Sequence, residues 1–294
     1  MNLFDEDSEL LKDNGLDIQE TAKKVSKEII SELSGRGNVS VKPIINNLVA
    51  FMSSSSGAGA STLVANVARL IEKKGLSVAV VDLNIMFPSQ HLYYKIPQEL
   101  DRNDLCSLLL GKTDLGESIY YSGNTAVILA NNRGAMDYIN LDEERYCDTI
   151  DNALSNLSYQ FDMVLVDCPL QITNAIVNTS LFKADNIYMV MDDGVQSIVN
   201  LTKIRNALDT FGIGWGKVRF VMNKRTSNFY NESNLDTAGV KLIEIIPFDL
   251  GIITSGLRCE LYVEKGIGIS RTSKDVEKAL DSLAEKVLEI GGKR

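Results

Sequence analysis

Short apolar runs alternate with segments of helical spacing from Val39 to the end of the chain. The runs are almost continuously Val, Ile, Leu and Met, which is typical of strands that are buried on both faces of a sheet. Each intervening segment places apolar residues three and four positions apart, which predicts a helix with one buried face. This alternation favours an α/β fold, a mostly parallel doubly wound sheet with flanking helices. The predicted strands are NLVAFM (47–52), LSVAVVDL (76–83), TAVILA (125–130), FDMVLVDCP (161–169), NIYMVMD (186–192), KVRFVMN (217–223) and KLIEIIPFD (241–249). The predicted helices are STLVANVARLIEKK (61–74), YCDTIDNALSNL (146–157), QSIVNLTKIRNALDTF (196–211) and SKDVEKALDSLAEKVL (273–288).

The first 38 residues have a different pattern. Acidic residues outnumber basic ones there, and apolar residues recur every three or four positions before the sequence SGRGN interrupts the pattern. We therefore expect an acidic amphipathic helical extension over residues 1–38, followed by one α/β domain over residues 39–294. The helix either folds onto its own domain or docks on a partner or a second copy. Its apolar face comprises Ile18, Ala22, Val25, Ile29 and Leu33.

Composition narrows the classes of function. The chain has 294 residues, of which 45% are hydrophobic and 23% charged, with a net charge of −9. This balance gives no strong nucleic-acid signal and works against binding to anionic lipid. The cysteines form no CxxC pair and His91 is the single histidine, so the supply of zinc ligands is poor. The acidic start, and the absence of any apolar stretch near roughly 18 residues, predict a cytoplasmic protein without a transmembrane segment.

The last predicted helix is amphipathic, a pattern that helices lying on a membrane surface share. Between Lys274 and Glu289 its polar positions carry more acids than lysines. Anionic lipid would repel such a face. We therefore expect this helix to dock on the sheet of its own domain, and peripheral membrane binding is not expected.

The stretch SSSSGAGAST (53–62) joins a predicted strand to a predicted helix. A glycine-rich turn that opens a helix exposes backbone N–H groups, and these attract phosphate. Aligned with the phosphate-loop pattern GxxxxGK[ST], Ser54 stands at the first glycine, Gly59 at the second, Ala60 at the lysine and Ser61 at the hydroxyl that holds Mg²⁺. On its own, the same stretch is also compatible with a purely structural turn.

Four further segments fall in the order of a known family: VVDLNIMFPSQHLYY (80–94), FDMVLVDCPLQIT (161–173), VMNK (221–224) and IIPFDLGIITSG (245–256). Together with the loop, they resemble the MinD/ParA group of dimerising P-loop ATPases over roughly residues 46–290. A GGxGxST loop with a small residue in place of the lysine resembles the CpaE/TadZ branch, which is associated with assembling and placing Tad-type pili. The sequence GAGAST (57–62) fits that form.

The resemblance implies ATP and Mg²⁺ as cofactors and assigns roles to individual positions. Ser61 and Asp167 correspond to the Mg²⁺ hydroxyl and the Walker B aspartate, and Asp82 belongs to the same metal set. Thr62 corresponds to a contact with the α-phosphate. Asn223 matches the asparagine that reads the adenine edge, with Lys224 beside it. The implied phosphate cradle is Ser55, Ser56, Gly57, Ala58, Gly59, Ala60, Ser61 and Thr62, and the implied loop over the base is Pro247, Phe248 and Asp249.

Three departures concern hydrolysis. The signature lysine of the family would fall at Ser55 and the ordinary P-loop lysine at Ala60, and neither is present. Asn84 stands where the family carries an aspartate near the attacking water, and an asparagine cannot accept the proton of that water. One cation about 4 Å from a phosphate charge is worth on the order of 4 kcal/mol at an effective dielectric near 20. We therefore expect weak MgATP binding and very slow or absent turnover.

Another cation could take the place of the missing lysines, and the sequence does not show which one. The candidates by composition alone are Lys224, Arg225, Arg133 and Arg258.

The reading that follows is an ATP-binding, hydrolysis-impaired localisation or assembly factor for a Tad-type pilus or secretion system. By resemblance it would act as a homodimer with nucleotide between the subunits, and protein partners would recruit it to a cell pole or membrane complex. Two alternatives stay open. One is an active ATPase that positions DNA or cell-division machinery, and the other is a nucleotide-free scaffold built on an ATPase fold.

Overall fold

The computed structural model describes residues 46–97, 103–131, 145–226, 235, 239–264 and 271–290. The acidic extension predicted for residues 1–38 lies outside these ranges, as does Arg133.

The strands form one eight-stranded sheet in the order β3-β4-β2-β5-β1-β6-β7-β8. β3 runs antiparallel to β4, and every other neighbouring pair is parallel. This confirms the mostly parallel sheet, and all of the predicted strands are present; only the edge strand β3 was not predicted. The strands are β1 (Leu48–Ser53), β2 (Val78–Asp82), β3 (Tyr120–Ser122), β4 (Thr125–Ile128), β5 (Met163–Cys168), β6 (Asn186–Met191), β7 (Val218–Arg225) and β8 (Leu242–Pro247).

Helices cover both faces of the sheet. The α-helices are α1 (Ala60–Lys73), α2 (Gln90–Tyr93), α3 (Leu105–Leu109), α4 (Arg145–Gln160), α5 (Ala175–Lys183), α6 (Val195–Thr210), α7 (Leu250–Leu257) and α8 (Arg271–Ile290). Buried side chains of α1 and α8 form one core with one face of the sheet. Those of α3, α4, α5 and α6 form the second core with the opposite face. The doubly wound arrangement is therefore confirmed.

β1 shows why the strand sequences are apolar at nearly every position. Leu48, Ala50 and Met52 belong to one core, whereas Val49 and Phe51 belong to the other. Side chains of a strand point alternately to the two faces, so a strand between two helical layers buries them all. Phe51 also stacks on the Tyr188 ring of β6, with ring centroids 5.0 Å apart.

The last helix, α8, docks on its own domain, as its sequence predicts. Its apolar stripe is buried against α1 and the sheet, and Lys286 Nζ lies 2.7 Å from Glu244 Oε2 on β8. Across the described residues, no helix combines the length and the apolar character that crossing a bilayer requires.

The carboxyl ends of the parallel strands meet at one edge of the sheet, where ligands of open α/β folds bind. Asp82 at the end of β2 pairs in register with Asp167 near the end of β5. β1, which leads into the glycine-rich loop, lies next to β5. The topology thus brings the predicted metal residues and the loop to the same edge.

Candidate functional site

The glycine-rich loop ends on the N-terminus of α1. Gly57 and Gly59 have positive φ angles, 80° and 103°. Gly59 is the N-cap residue and has no capping side chain, the Ala60 N–H donates to the neutral Ser53 Oγ at 3.4 Å, and this fully described first turn of α1 contains no acidic residue. Its N–H groups and the positive end of the helix dipole therefore face the loop without a negative partner, which suits an anion.

Two side chains at the end of β7 donate hydrogen bonds to carbonyl groups of the loop. Asn223 is 3% exposed, and its Nδ2 donates a hydrogen bond to the Ala58 carbonyl at 2.8 Å. A Cβ on Gly59 would lie 2.5 Å from that same nitrogen, so the close approach requires glycine. The next residue, Lys224, donates from Nζ to the Gly57 carbonyl. In this structure Asn223 therefore holds the loop, and its predicted role of reading adenine stays a prediction.

The loop borders a cavity of about 500 Å³. Nearly all of the stretch from Ser53 to Thr62 lines it, together with Asn84, Phe87, residues 168–171 and Lys224. Ligand pockets typically measure roughly 300–1,000 Å³, so the volume suits a nucleotide-sized ligand.

Ser61 and Asp167 lie together at the inner end of the loop. Ser61 Oγ donates to Asp167 Oδ1 at 3.1 Å. Gln90, at the start of α2, donates from Nε2 to Asp167 Oδ2 at 2.7 Å and to the Ser61 carbonyl at 3.1 Å. Gln90 lies within the segment 80–94 but was not predicted as a site residue, because its contact with Asp167 joins two elements that only the folded sheet brings together. The available signal was a polar residue closely following the Asp82 strand.

Asp82 holds the turn that carries Asn84 and Gln90. Its carboxylate accepts backbone N–H groups from Asn84 at 2.9 Å, Ser89 at 3.0 Å and Gln90 at 3.1 Å. Burial and the nearby Asp167 charge raise the pKa of Asp82, although these hydrogen bonds partly oppose the shift. Burial likewise raises the pKa of Asp167, against the hydrogen bonds from Gln90 and Ser61.

The oxygen atoms at this point fit a Mg²⁺ ion. Gln90 Oε1 is buried and has no hydrogen-bond partner among the described residues, and it accompanies the Ser61 hydroxyl and the Asp167 carboxylate. Mg²⁺ prefers oxygen ligands and usually keeps several waters and substrate phosphates in its shell. The described residues contain no cluster of three or more His, Cys, Asp or Glu side chains. The donor set therefore suits a metal shared with a phosphate ligand better than a metal held by protein alone.

The position of the signature lysine is largely buried at the wall of the cavity. Ser55 is 5% exposed, and its Oγ lies 2.7 Å from Ser197 Oγ on α6. Ser197 in turn donates to Asp192 Oδ1 at 2.5 Å. Ser55 thus packs against α6 and carries no cation toward a neighbouring molecule.

The other loop positions also lack a cation. Ala60 lines the cavity and is 4% exposed. Thr62, the predicted α-phosphate contact, lines the cavity while its Oγ1 lies 2.8 Å from the Tyr93 hydroxyl. Asn84 reaches the cavity too, with its Oδ1 accepting the Phe87 N–H at 3.2 Å.

Pro247 ends β8, Phe248 and Asp249 follow it, and none of the three lines the loop cavity. Pro247 pairs with Arg225 at the end of β7, and the Phe248 N–H donates to the Arg225 carbonyl at 2.9 Å. Asp249 caps α7 through the Gly251 N–H and accepts from Ser273 Oγ at 3.1 Å. Their predicted position over the base stays a prediction.

Comparisons with known proteins agree with this architecture. The AAA domain family matches residues 46–212. An uncharacterized ATP-binding protein of Methanocaldococcus jannaschii is 25% identical over 199 residues, which cover 67% of this chain and 69% of the relative.

Two solved structures show the same fold. The septum site-determining protein MinD of Pyrococcus horikoshii, complexed with Mg-ADP, has a TM-score of 0.66 at 21% identity, covering 84% of this chain and 97% of its own. A ParA family ATPase of Chlorobium tepidum has a TM-score of 0.66 at 18% identity, covering 82% and 98%. The family match spans more than half of the chain, and the structural matches span nearly all of the described domain. The chain therefore belongs to the AAA domain family and has the ATP-binding fold of the MinD and ParA ATPases.

Proposed function

We propose that this protein binds MgATP in the cavity beside the glycine-rich loop. The observation that carries the proposal is the N-terminus of α1, which has no acidic residue in its first turn and opens onto a cavity of about 500 Å³ directly next to the Ser61–Asp167 pair. The N–H groups suit the phosphates, and the oxygen donors suit the Mg²⁺ that accompanies them. A MinD relative of the same fold is a complex with Mg-ADP, which supports the choice of ligand.

Turnover is proposed to be very slow or absent, and binding to be weak. Phosphoryl transfer is catalysed almost entirely by positioning and electrostatic stabilisation. Ser55 and Ala60 bring no positive charge to the loop, and Asn84 has no carboxylate with which to accept a proton. ATP would then act as a ligand that stabilises one conformational or oligomeric state of the protein, and its hydrolysis would not be required.

The biological role that fits this chemistry is localisation or assembly. The GAGAST loop supports the CpaE/TadZ branch, and with it a homodimer that helps to place a Tad-type pilus or secretion system. Apolar side chains on α7 are well exposed, with Leu250 at 68% and Leu257 at 83%. Exposed apolar side chains of this kind suit a contact with a protein partner. Such partners would recruit the protein to a cell pole or membrane complex.

The decisive experiment is a thermal unfolding midpoint with and without MgATP, with MgADP for comparison, followed by an assay of phosphate release. A ligand at about 100 times its Kd adds about 2.7 kcal/mol of stability, which raises the midpoint by several degrees. A clear shift without phosphate release is the expected result. A shift with steady phosphate release would establish the active ATPase instead, and no shift at millimolar ATP would establish the nucleotide-free scaffold.

Ala60→Lys tests the placement of the loop. Ala60 lines the cavity at the first residue of α1, so a lysine there is expected to tighten MgATP binding by at least about tenfold, or about 1.4 kcal/mol. The measurement is a calorimetric titration. Lys112→Gln, at an exposed residue outside the cavity lining, tests whether a change in net charge alone alters affinity.

A further inference from the structure

The cavity has one ammonium group among the residues that the structure describes. Of the four cations that composition offers, Lys224 lines the cavity, Arg225 and Arg258 do not, and Arg133 lies outside the described ranges. Lys224 comes from the end of β7, far in sequence from the loop, and its Nζ donates to the Gly57 carbonyl inside the loop. The topology therefore brings a positive charge to a loop whose own sequence has none.

The backbone of Lys224 is held in an unusual conformation. Its φ is 57°, and apart from glycine only Lys95 and Cys259 share a positive φ among the described residues. A side chain with a Cβ pays an energetic cost in this region, and such strain tends to persist at functional sites. Neighbouring Asn223 is anchored to the Ala58 carbonyl, so the two side chains reach consecutive carbonyls of the same loop.

Among the residues that the structure describes, no carboxylate neutralises the charge of Lys224. Its described acceptor is an uncharged carbonyl, and no described carboxylate forms an ion pair with it. An ammonium group has three donors, so one can stay on the Gly57 carbonyl while the others turn to an anion in the cavity. A phosphate oxygen would be the stronger partner because hydrogen bonds between ionised groups exceed those to neutral carbonyls.

We propose that Lys224 supplies the phosphate-neutralising charge that the loop lacks at Ser55 and Ala60. The ligand class is the polyphosphate of a nucleoside di- or triphosphate, and the inference rests on the proposed binding of MgATP. Lys224 thereby takes the electrostatic role of a loop lysine from a different strand. This role differs from the one that the sequence resemblance implies, in which Lys224 lies beside the asparagine that reads the adenine edge.

The test compares Lys224→Gln with the wild-type protein by calorimetric titration of MgATP, MgADP and adenosine. We expect at least a tenfold loss of MgATP affinity, a smaller or equal loss for MgADP and no change for adenosine, which has no phosphate. The salt dependence of MgATP binding should also become shallower, because one charge contact has been removed. Lys112→Gln, the same charge change at an exposed site outside the cavity, should leave all three affinities unchanged.

Charge relocation separates an electrostatic role from a structural one. In the double variant Lys224→Gln with Ala60→Lys, the charge returns to the cavity but the bond to Gly57 does not, and MgATP affinity is expected to recover. Thermal midpoints of the unliganded variants show whether the loop itself is damaged. Unchanged MgATP affinity in Lys224→Gln, or an equal loss for adenosine, would overturn this inference and leave the proposed function standing. Failure of the wild-type protein to bind MgATP would overturn both.

Discussion

Gly59 makes the loop compact, because its missing side chain lets the Asn223 amide reach the Ala58 carbonyl. Gly59→Ala is expected to destabilise the fold by about 2–4 kcal/mol, since it combines a positive φ with a Cβ 2.5 Å from the Asn223 amide. Gly57→Ala is the matched control: its φ is also positive, but no atom lies within 4 Å of the added carbon, so about 1–2 kcal/mol is expected. Urea unfolding measures both, and equal losses would contradict the close-approach argument.

Gln90 contacts two buried carboxylates, since its backbone N–H donates to Asp82 Oδ2 and its side-chain Nε2 donates to Asp167 Oδ2. Gln90→Glu would add a third carboxyl group beside Asp82 and Asp167, whose pKa values burial already raises. The new carboxyl group would have a folded-state pKa above its unfolded value, so its penalty is small at about pH 5 and grows toward about pH 8. In metal-free buffer we expect a loss of about 3 kcal/mol relative to wild type at the higher pH.

Gln90→Leu is the control for that prediction. It removes the same hydrogen bonds to Asp167 and Ser61 without adding a titratable group. Its loss in unfolding free energy should therefore grow less with pH than that of Gln90→Glu, because only the pKa of Asp167, which rises further without the Gln90 hydrogen bond, contributes to the change. A Gln90→Glu penalty that does not change with pH would show that the carboxyl group escapes to solvent.

At the scale of single residues, the sequence indicated which residues form the site better than it indicated which of them contact each other. Ser61 and Asp167 were predicted to share a metal site, and they are hydrogen-bonded neighbours. The Ser55–Ser197 contact was not predictable, because it joins a loop to a helix that only the folded sheet brings together. Gln90 was missed for the same reason.

Secondary-structure elements were predictable where burial dictates their pattern. Strands covered on both faces appear as apolar runs, and long helices appear as periodic stripes. The missed elements are short or weakly patterned: β3 has three residues at the sheet edge, α2 and α3 have four and five residues, and α7 has eight. α5 has an apolar content with little periodicity, and its N-cap Asn174 was the main available signal.

α7 provides a prediction at the scale of an element. Asp249 caps this helix through the Gly251 N–H and also accepts from Ser273 on α8, so Asp249→Ala is expected to cost about 1–2 kcal/mol. Asp249→Asn keeps a capping oxygen and should retain most of the stability. Urea unfolding checks both variants. If Asp249→Ala left the free energy of unfolding unchanged, the cap would make no net contribution to stability.

The order of strands sets how stability is distributed over the whole molecule. β5, β1 and β6 lie at the centre of the sheet, each is paired on both sides, and both faces are buried. Their amides are expected to exchange with solvent through global unfolding of the domain. β3 is a three-residue edge strand with half-exposed side chains, so its amides are expected to exchange through local opening at least about 100-fold faster.

MgATP should change this exchange pattern unevenly. A ligand that binds only the folded state lowers the population of globally unfolded molecules, so at about 100 times its Kd the amides of β1, β5 and β6 should exchange about 100-fold more slowly. Those of β3 should barely change, because their local opening does not release the ligand. Hydrogen exchange by mass spectrometry measures both regions in one experiment, with MgADP as comparison. If β3 slowed as much as β1, the sheet would open only as a unit; if no strand slowed, the cavity would hold no nucleotide under those conditions.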